Sequence, residues 1–171
     1  MTKVRLSSPI ESNSTVNGEG LRLVVWFQGC LHACKGCHNQ ETWAIDGGYT
    51  ESLETLKNTI KDNVHRYTDG ITFSGGDPLF QIDALIELAS FSKSLGLNVW
   101  VYSGERFEIL MKDKKFQTLA ASIDVLVDGR FVLELKDLTL DYRGSSNQRL
   151  IDVQTSFLKD ETILYKLNTQ H

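Results

Sequence analysis

Four short apolar segments that alternate with helical patterns constrain the fold of this chain more than any other feature of its sequence. They are "LRLVVWFQ" (21–28), "GITFSG" (70–75), "NVWVYSG" (98–104) and "SIDVLVDG" (122–129). Each is rich in β-branched or aromatic residues and ends at glycine or another turn residue, which is typical of strands covered on both faces. The sequence therefore predicts four buried strands.

The segments between these strands carry helical periodicity. Apolar residues recur at helical spacing in 52–66, 81–95 and 106–121. Strands that alternate with helices are typical of βαβ units, which build a parallel sheet with right-handed crossovers. A chain of 171 residues is long enough for one domain with a substantial core. We expect a single α/β domain over residues 1–171, with a mainly parallel sheet.

Polar and glycine-rich segments follow each predicted strand. The cysteine-containing loop follows the first strand, "GGDP" (75–78) the second, "SGER" (103–106) the third and "DGRF" (128–131) the fourth. Ligands of parallel α/β folds bind at the carboxyl ends of the strands, where these loops gather. We therefore expect the functional residues to share one edge of the sheet.

All three cysteines lie within eight residues of one predicted loop, "GCLHACKGCHNQ" (29–40). An odd number of thiols in a single loop makes a poor disulfide framework. Their spacing would also place them on one face of a helix, but the glycines and the lack of a continuing apolar stripe disfavour a helix. Metal or cluster binding is the favoured interpretation, and inert thiols are the alternative.

Charge and apolar patterning argue against nucleic acid and membrane as partners. The net charge is −4 and the lysines and arginines are scattered, whereas a phosphate-backbone binder needs a clustered cationic face. The polar start "MTKVRLSSPIESNS" has no apolar leader, and the longest apolar run is broken by Arg22 and too short to span a bilayer. We expect a cytoplasmic protein, in a compartment that keeps thiols reduced.

The residue types leave two kinds of metal site open. Zinc prefers four ligands, and His32 or His38 could complete a Cys3His site. A 4Fe–4S cluster normally takes four thiolates, so three cysteines would leave one iron without a ligand from this chain. Such an open position admits an external ligand, as the open position of a catalytic zinc does.

The motif "CLHACKGC" (30–37) has CxxxCxxC spacing after a first strand and resembles the cluster motif of the radical S-adenosylmethionine superfamily. "TFSGGDP" (72–78) is similar to the glycine-rich motif of that superfamily at the end of the second strand. The resemblance implies that Cys30, Cys34 and Cys37 ligate three irons of a 4Fe–4S cluster and that S-adenosylmethionine chelates the fourth. It also implies an open partial (β/α) barrel.

Residues beside these motifs are implied to contact S-adenosylmethionine. They are Gly36, Cys37, His38, Gly75, Gly76 and Asp77. Many members of the superfamily have an aromatic residue where this chain has Gly36. The activating proteins within the superfamily that this chain resembles tend to have tyrosine where it has His38. Adenine contact by His38 is therefore a hypothesis, with a solvent-facing histidine as the alternative.

Five segments together resemble one family, the activating proteins of anaerobic ribonucleoside-triphosphate reductase. They are "VNGEG" (16–20), "GCLHACKGCHNQETW" (29–43), "SGGDPL" (74–79), "VLVDGRF" (125–131) and "YRGSSNQR" (142–149). The motif-bearing part spans about 16–150, and the segment 155–171 matches nothing in that family.

The resemblance implies a reaction and partners. Reductive cleavage of S-adenosylmethionine would give a 5′-deoxyadenosyl radical that removes hydrogen from a glycine of the large reductase subunit, with flavodoxin or ferredoxin as electron donor. The alternatives are an activase of another glycyl-radical enzyme and a zinc-binding Cys3His interaction module. Ser103, Arg143 and Asn147 are either cofactor or partner contacts or ordinary polar turn residues.

Overall fold

The computed structural model describes residues 2–168 and arranges them on one seven-stranded sheet. The strands are β1 (Lys3–Ser14), β2 (Arg22–Phe27), β3 (Tyr49–Ser52), β4 (Gly70–Gly75), β5 (Asn98–Tyr102), β6 (Val125–Asp128) and β7 (Arg149–Asp152). The helices are α1 (Leu53–Asn63), α2 (Ile82–Ser94), α3 (Phe107–Leu110), α4 (Lys114–Ala120) and α5 (Val153–Lys159). The four predicted strands are confirmed as β2, β4, β5 and β6.

The sheet is parallel in its centre and antiparallel at both edges. Its strand order is β3-β1-β2-β4-β5-β6-β7. The pairings β2–β4, β4–β5 and β5–β6 are parallel, whereas β1 with β2, β1 with β3 and β6 with β7 are antiparallel. The prediction of a mainly parallel sheet is therefore wrong at the edges. The antiparallel strands β1 and β3 expose many side chains, so their sequences lack the apolar runs that mark the central strands.

The two faces of the sheet are covered differently. Side chains that alternate along the central strands pack against α1, α2 and α4 and form the larger core; they include Val25, Phe27, Phe73, Val101 and Leu126. The opposite face carries a smaller cluster around Trp100, which packs against tyrosines from later loops rather than against helices. The chain thus forms two layers, with its helices concentrated on one side.

Arg22 is fully buried at the start of β2. Its guanidinium donates to the Thr72 hydroxyl at 2.8 Å and to the carbonyls of Ile71 and Asn98 at 2.9 Å each. The guanidinium also lies 5.3 Å from the centre of the Trp100 ring. Burial lowers its pKa to about 10, because a desolvated cation is disfavoured. Because its donors are paired with the neighbouring strands, Arg22 is accommodated inside the apolar segment as the first residue of β2.

The helical pattern in 106–121 is confirmed, and it is divided between two helices. α3 ends at Leu110 and α4 begins at Lys114. Asp113 lies between them, and its carboxylate accepts from the amides of Lys115 at 2.7 Å and Phe116 at 3.2 Å. Asp113 is thus the N-cap of a new helix, and it lies in the polar segment that interrupts the apolar pattern.

The segment after α5, which matched no family motif, returns across the helix-free face. Leu164 bridges to Ile151 beside β7. The amide of Tyr165 donates to the Leu150 carbonyl at 2.8 Å, and its hydroxyl donates to Glu19 at 2.5 Å. Residues 169–171 lie outside the described residues. Among those described, no helix combines the length and the apolar character that crossing a bilayer requires.

An ion-pair network attaches β7 to the rest of the fold. Arg149 donates to Asp128 at 2.5 Å and to Glu108 at 2.8 Å. Asp128 also accepts from the Phe107 amide at 2.8 Å. The hydrogen bond from Arg149 is the main cause that lowers the pKa of Glu108 to about 2. The pair of carboxylates thus positions the loop after β6 against the start of α3.

Replacing Leu126 by alanine should lower the free energy of unfolding by about 2–5 kcal/mol, because the leucine is fully buried in the larger core. The matched control is Leu158→Ala, since Leu158 is 87% exposed on α5; we expect a change within about 0.5 kcal/mol there. Urea unfolding under anaerobic conditions at neutral pH measures both. Equal losses for the two variants would contradict this assignment of the core.

Candidate functional site

The loops that follow the four parallel strands meet around one cavity of about 150 Å³. Its lining residues include Cys30, Cys34 and Cys37 after β2, Gly75, Gly76 and Asp77 at the end of β4, Ser103 and Gly104 after β5, and Gly129, Arg130 and Phe131 after β6. The prediction that candidate site residues follow the strands and share one edge is confirmed. The sheet thus gathers motifs that are far apart in sequence.

The cysteine loop is irregular and not helical. Three of its residues have positive φ, namely Gly29 at 110°, Ala33 at 50° and Gly36 at 78°. A Cβ atom at Gly36 would lie only 2.8 Å from Leu133, so glycine is required there for both conformation and packing. The alternative of three thiols on one helical face is wrong.

The three thiols form a donor set suited to a thiophilic metal centre. All are free and half-buried. Burial raises the pKa of Cys30 and of Cys34, because the thiolate loses hydration. A coordinated metal supplies the positive charge that such thiolates lack, and coordinated thiols are deprotonated. The chemistry of the site therefore fits zinc or an iron–sulfur cluster.

A single zinc ion would need the three thiols and a histidine to converge on one point. In residues 2–168, no three side chains of His, Cys, Asp or Glu stand close enough to hold one metal ion. The thiols instead line a shared cavity. Nε2 of His32, one candidate for a fourth zinc ligand, lies 2.6 Å from the Asp77 carboxylate. The described part of the chain therefore does not assemble a Cys3His site.

Asp77 is buried, at 3% exposure, and is the main acceptor of the site. Its Oδ2 accepts from the Ser103 hydroxyl at 3.0 Å and the Gly104 amide at 2.9 Å, and it pairs with His32. Its Oδ1 accepts from the Leu79 amide at 3.0 Å. This one carboxylate thus joins the loops after β2, β4 and β5.

The glycines before Asp77 are required by close approach of two loops. A Cβ atom at Gly75 would overlap the Phe27 backbone, and one at Gly76 would overlap the Gly29 carbonyl. Gly75 also has a φ of 114°. Asp77 has extended backbone, with φ −119° and ψ 112°, as expected for a residue before proline. The glycine turn and the cysteine loop therefore pack directly on each other.

A second cavity of about 420 Å³ adjoins the first. Cys37, Tyr102 and Phe131 line both cavities. His38 is exposed to solvent, yet it lines the larger cavity with its ring 5.7 Å from the Phe131 ring. The structure therefore places His38 beside the thiols at an aromatic wall.

The motif 142–149 mainly supports the loop after β6. The Asn147 amide donates to the Arg130 carbonyl at 2.8 Å, and the Gln148 amide donates to the Gly129 carbonyl at 3.0 Å. The Asn147 and Gln148 amides are therefore engaged within the chain. Arg143 lines the larger cavity, with its Nε 3.3 Å from the Asp141 carbonyl.

The contacts of His32 and of Ser103 with the Asp77 carboxylate are not predictable from the sequence. The partners are 45 and 26 residues apart, and no local pattern pairs them. The available signal was that His32, Asp77 and Ser103 all follow predicted strands, whose carboxyl ends meet at one edge of the sheet. Tyr102, Phe131 and Gln148, which border both cavities, were also missed.

Comparison with known proteins adds a family and relatives. The family model of a 4Fe–4S single cluster domain matches residues 16–151. An anaerobic ribonucleoside-triphosphate reductase-activating protein of Haemophilus influenzae is 37% identical over 140 residues, covering 78% of this chain and 88% of the relative. The proteins of the same name from Escherichia coli K12 and Enterobacteria phage T4 are 36% and 35% identical, covering 78% and 79% of this chain and 89% and 86% of the relatives.

Among solved structures, the crystal structure of QueE from Escherichia coli is similar to this one with a TM-score of 0.50 and 15% sequence identity. The similarity covers 60% of this chain and 53% of that chain, and it supports the mixed α/β fold alone. The 4Fe–4S family model, in contrast, spans both the cysteine loop and the glycine turn, and the curated relatives cover 78–79% of the chain. The chain belongs to the family of anaerobic ribonucleoside-triphosphate reductase-activating proteins.

Proposed function

We propose that this chain activates an anaerobic ribonucleoside-triphosphate reductase through reductive cleavage of S-adenosylmethionine at a 4Fe–4S cluster. The observation that carries the proposal is the set of three free cysteines, spaced CxxxCxxC, around one cavity at the strand ends. The match to a 4Fe–4S single cluster domain and the names of the relatives support it. Helices concentrated on one face of the sheet support an open partial (β/α) barrel of the radical S-adenosylmethionine type, in a single domain over 1–171.

In this proposal Cys30, Cys34 and Cys37 hold three irons, and the fourth iron is left for S-adenosylmethionine. With an electron from a donor such as flavodoxin or ferredoxin, the bound cluster supplies the reductive cleavage whose 5′-deoxyadenosyl radical takes hydrogen from a glycine of the large reductase subunit. The residues of the chain bind and orient the cluster and the cofactor, and they exclude water from the site. Free cysteines in such a centre also favour the cytoplasm, where thiols stay reduced.

The proposed S-adenosylmethionine site is lined by two segments of the chain, the cysteine loop and the turn 75–77. Cys37 lines the smaller cavity together with the turn 75–77, His38 lines the larger cavity, and Gly36 precedes them without lining either. The amides of Gly76 and Asp77 already donate to backbone carbonyls of the β2 end, and the Asp77 carboxylate is engaged by four donors. We therefore assign backbone acceptors of the turn to the amino group of the cofactor, and to Asp77 the role of holding the surrounding walls.

The larger cavity provides room for the adenine ring and for the substrate segment. Tyr102, Phe131 and His38 form an aromatic part of its lining, which suits a planar base. Val16 and Leu138 lie at its border and are 73% and 84% exposed, so the cavity opens to the protein surface. We assign this opening to the glycine-bearing segment of the reductase.

Cys34→Ala should reduce the formation of 5′-deoxyadenosine to background, because a cluster held by two thiolates loses its defined open position.

The wild-type chain, reconstituted without oxygen, should contain about four irons. Incubation with S-adenosylmethionine, a reductant and the reductase should then give a glycyl doublet in electron paramagnetic resonance. A wild-type chain that folds with zinc and forms no radical would end the proposal, and cleavage with no radical on this reductase would favour an activase of another glycyl-radical enzyme.

His38→Ala should weaken S-adenosylmethionine binding about threefold to tenfold, the equivalent of one lost aromatic contact. The control is His65→Ala, because His65 is also exposed but lines neither cavity. Equilibrium binding to the anaerobically reconstituted protein measures both affinities. Unchanged affinity of the His38 variant would reject the adenine contact and leave His38 as a surface residue.

A further inference from the structure

The His32 side chain, between the first and second cysteines, is enclosed by loops from three strands. Its Nε2 lies 2.6 Å from the Asp77 Oδ2, and its ring centre lies 5.5 Å from that of Phe80. A Cβ atom at Gly104 would overlap the His32 ring. The side chain is only 11% exposed, although its neighbours Leu31 and Ala33 are exposed. The cysteine loop thus turns one polar side chain inward, onto the ends of β4 and β5.

The direction of the hydrogen bond follows from the other partners of Asp77. Backbone amides of Gly104 and Leu79 can only donate, and both bond to the carboxylate. An ionised carboxylate has only acceptor sites. His32 therefore donates from Nε2, and a nitrogen that carries this proton has no lone pair left for a metal. This geometry makes Nε2 part of the support of the site and not a ligand.

Asp77 is positioned without His32, because the Ser103 hydroxyl and the two amides hold the carboxylate at the strand ends. The cysteine loop, in contrast, is irregular, with positive φ at Ala33 and Gly36. Ordering such a loop costs conformational entropy. The His32 contact attaches this loop to a rigid acceptor close to two of the three thiols.

We propose that His32 is a positioning residue, which acts through Asp77 to orient the three thiols toward the turn at Gly75 and Gly76. The inference rests on the proposed cluster and deepens it, because it names the residue that decides how the cluster faces S-adenosylmethionine. Hydrogen bonds that orient metal ligands typically contribute about 10-fold to 100-fold to metal affinity. The three thiols and the glycine turn line one cavity, so this orientation would leave the open position of a bound cluster on the side of the turn.

Two substitutions of His32 separate this role from general packing. Glutamine can donate from its own Nε2 at a similar distance from the backbone, whereas leucine fills similar volume and donates nothing. In anaerobically reconstituted protein, we expect His32→Leu to release iron to a ferrous chelator about 10-fold to 100-fold faster than wild type. His32→Gln should stay within about threefold of wild type, because the contact with Asp77 is retained.

Electron paramagnetic resonance of the reduced cluster supplies the second readout. Without S-adenosylmethionine, the spectrum of His32→Gln should equal that of wild type, because His32 is not a ligand. Addition of S-adenosylmethionine should shift the spectra of wild type and His32→Gln, and should shift that of His32→Leu less at the same concentration. In the Asp77→Asn background, His32→Leu should add no further acceleration of iron release, because both changes remove the same contact.

The outcomes distinguish this inference from the proposed function. If wild type assembles the cluster and responds to S-adenosylmethionine, the proposed function stands. If His32→Gln then loses iron as fast as His32→Leu, or changes the spectrum before S-adenosylmethionine is added, the positioning role is wrong. If His32→Leu does not fold, the retention expected of His32→Gln still decides the question. A wild-type chain that assembles no cluster overturns the proposed function itself.

Discussion

The site depends on one buried carboxylate. Asp77 lies at the end of β4 and takes donors from the loops after β2 and β5 and from its own loop. A carboxylate with 3% exposure is stable only when its oxygens are hydrogen-bonded. Separation of these loops would leave the charge without partners. The same interaction therefore stabilises the edge of the sheet and holds the cysteine loop against the glycine turn.

Several residues of the family motifs contact other parts of the chain rather than supply chemical groups to the cavities. Asn147 and Gln148 bond to the backbone of the loop after β6, and Gly75 and Gly76 allow two loops to touch. These residues build the walls of the two cavities. The groups that line the cavities include the thiols, Arg130, Arg143 and aromatic rings including His38. This division suits a reaction in which the bound cluster and cofactor supply the chemistry and the chain supplies position.

The unequal covering of the sheet has a consequence for access. Helices bury one face, while the other face is closed by tyrosines and by the segment after α5, which Glu19 holds through Tyr165. That closure lies at the Arg22 end of β2, where Glu19 also accepts from Arg22 through its carbonyl. The smaller cavity, which the three thiols line, lies at the opposite, carboxyl ends of the strands, whereas Tyr142 of the closing cluster also lines the larger cavity. A segment of another protein can therefore reach the thiol side without displacing the core.

Local sequence patterns determined the central strands, helices α1 and α2, and the irregular cysteine loop, because burial on two faces and poor helix propensity are properties of neighbouring residues. They did not determine β1, β3 and β7, since short or half-exposed antiparallel strands carry weak patterns, nor the break before α4, where the Asp113 cap overrides periodicity. The CxxxCxxC spacing indicated the chemistry. Only the tertiary structure decided that His32 and Asp77 meet, because partners 45 residues apart are brought together by strand order and not by spacing along the chain.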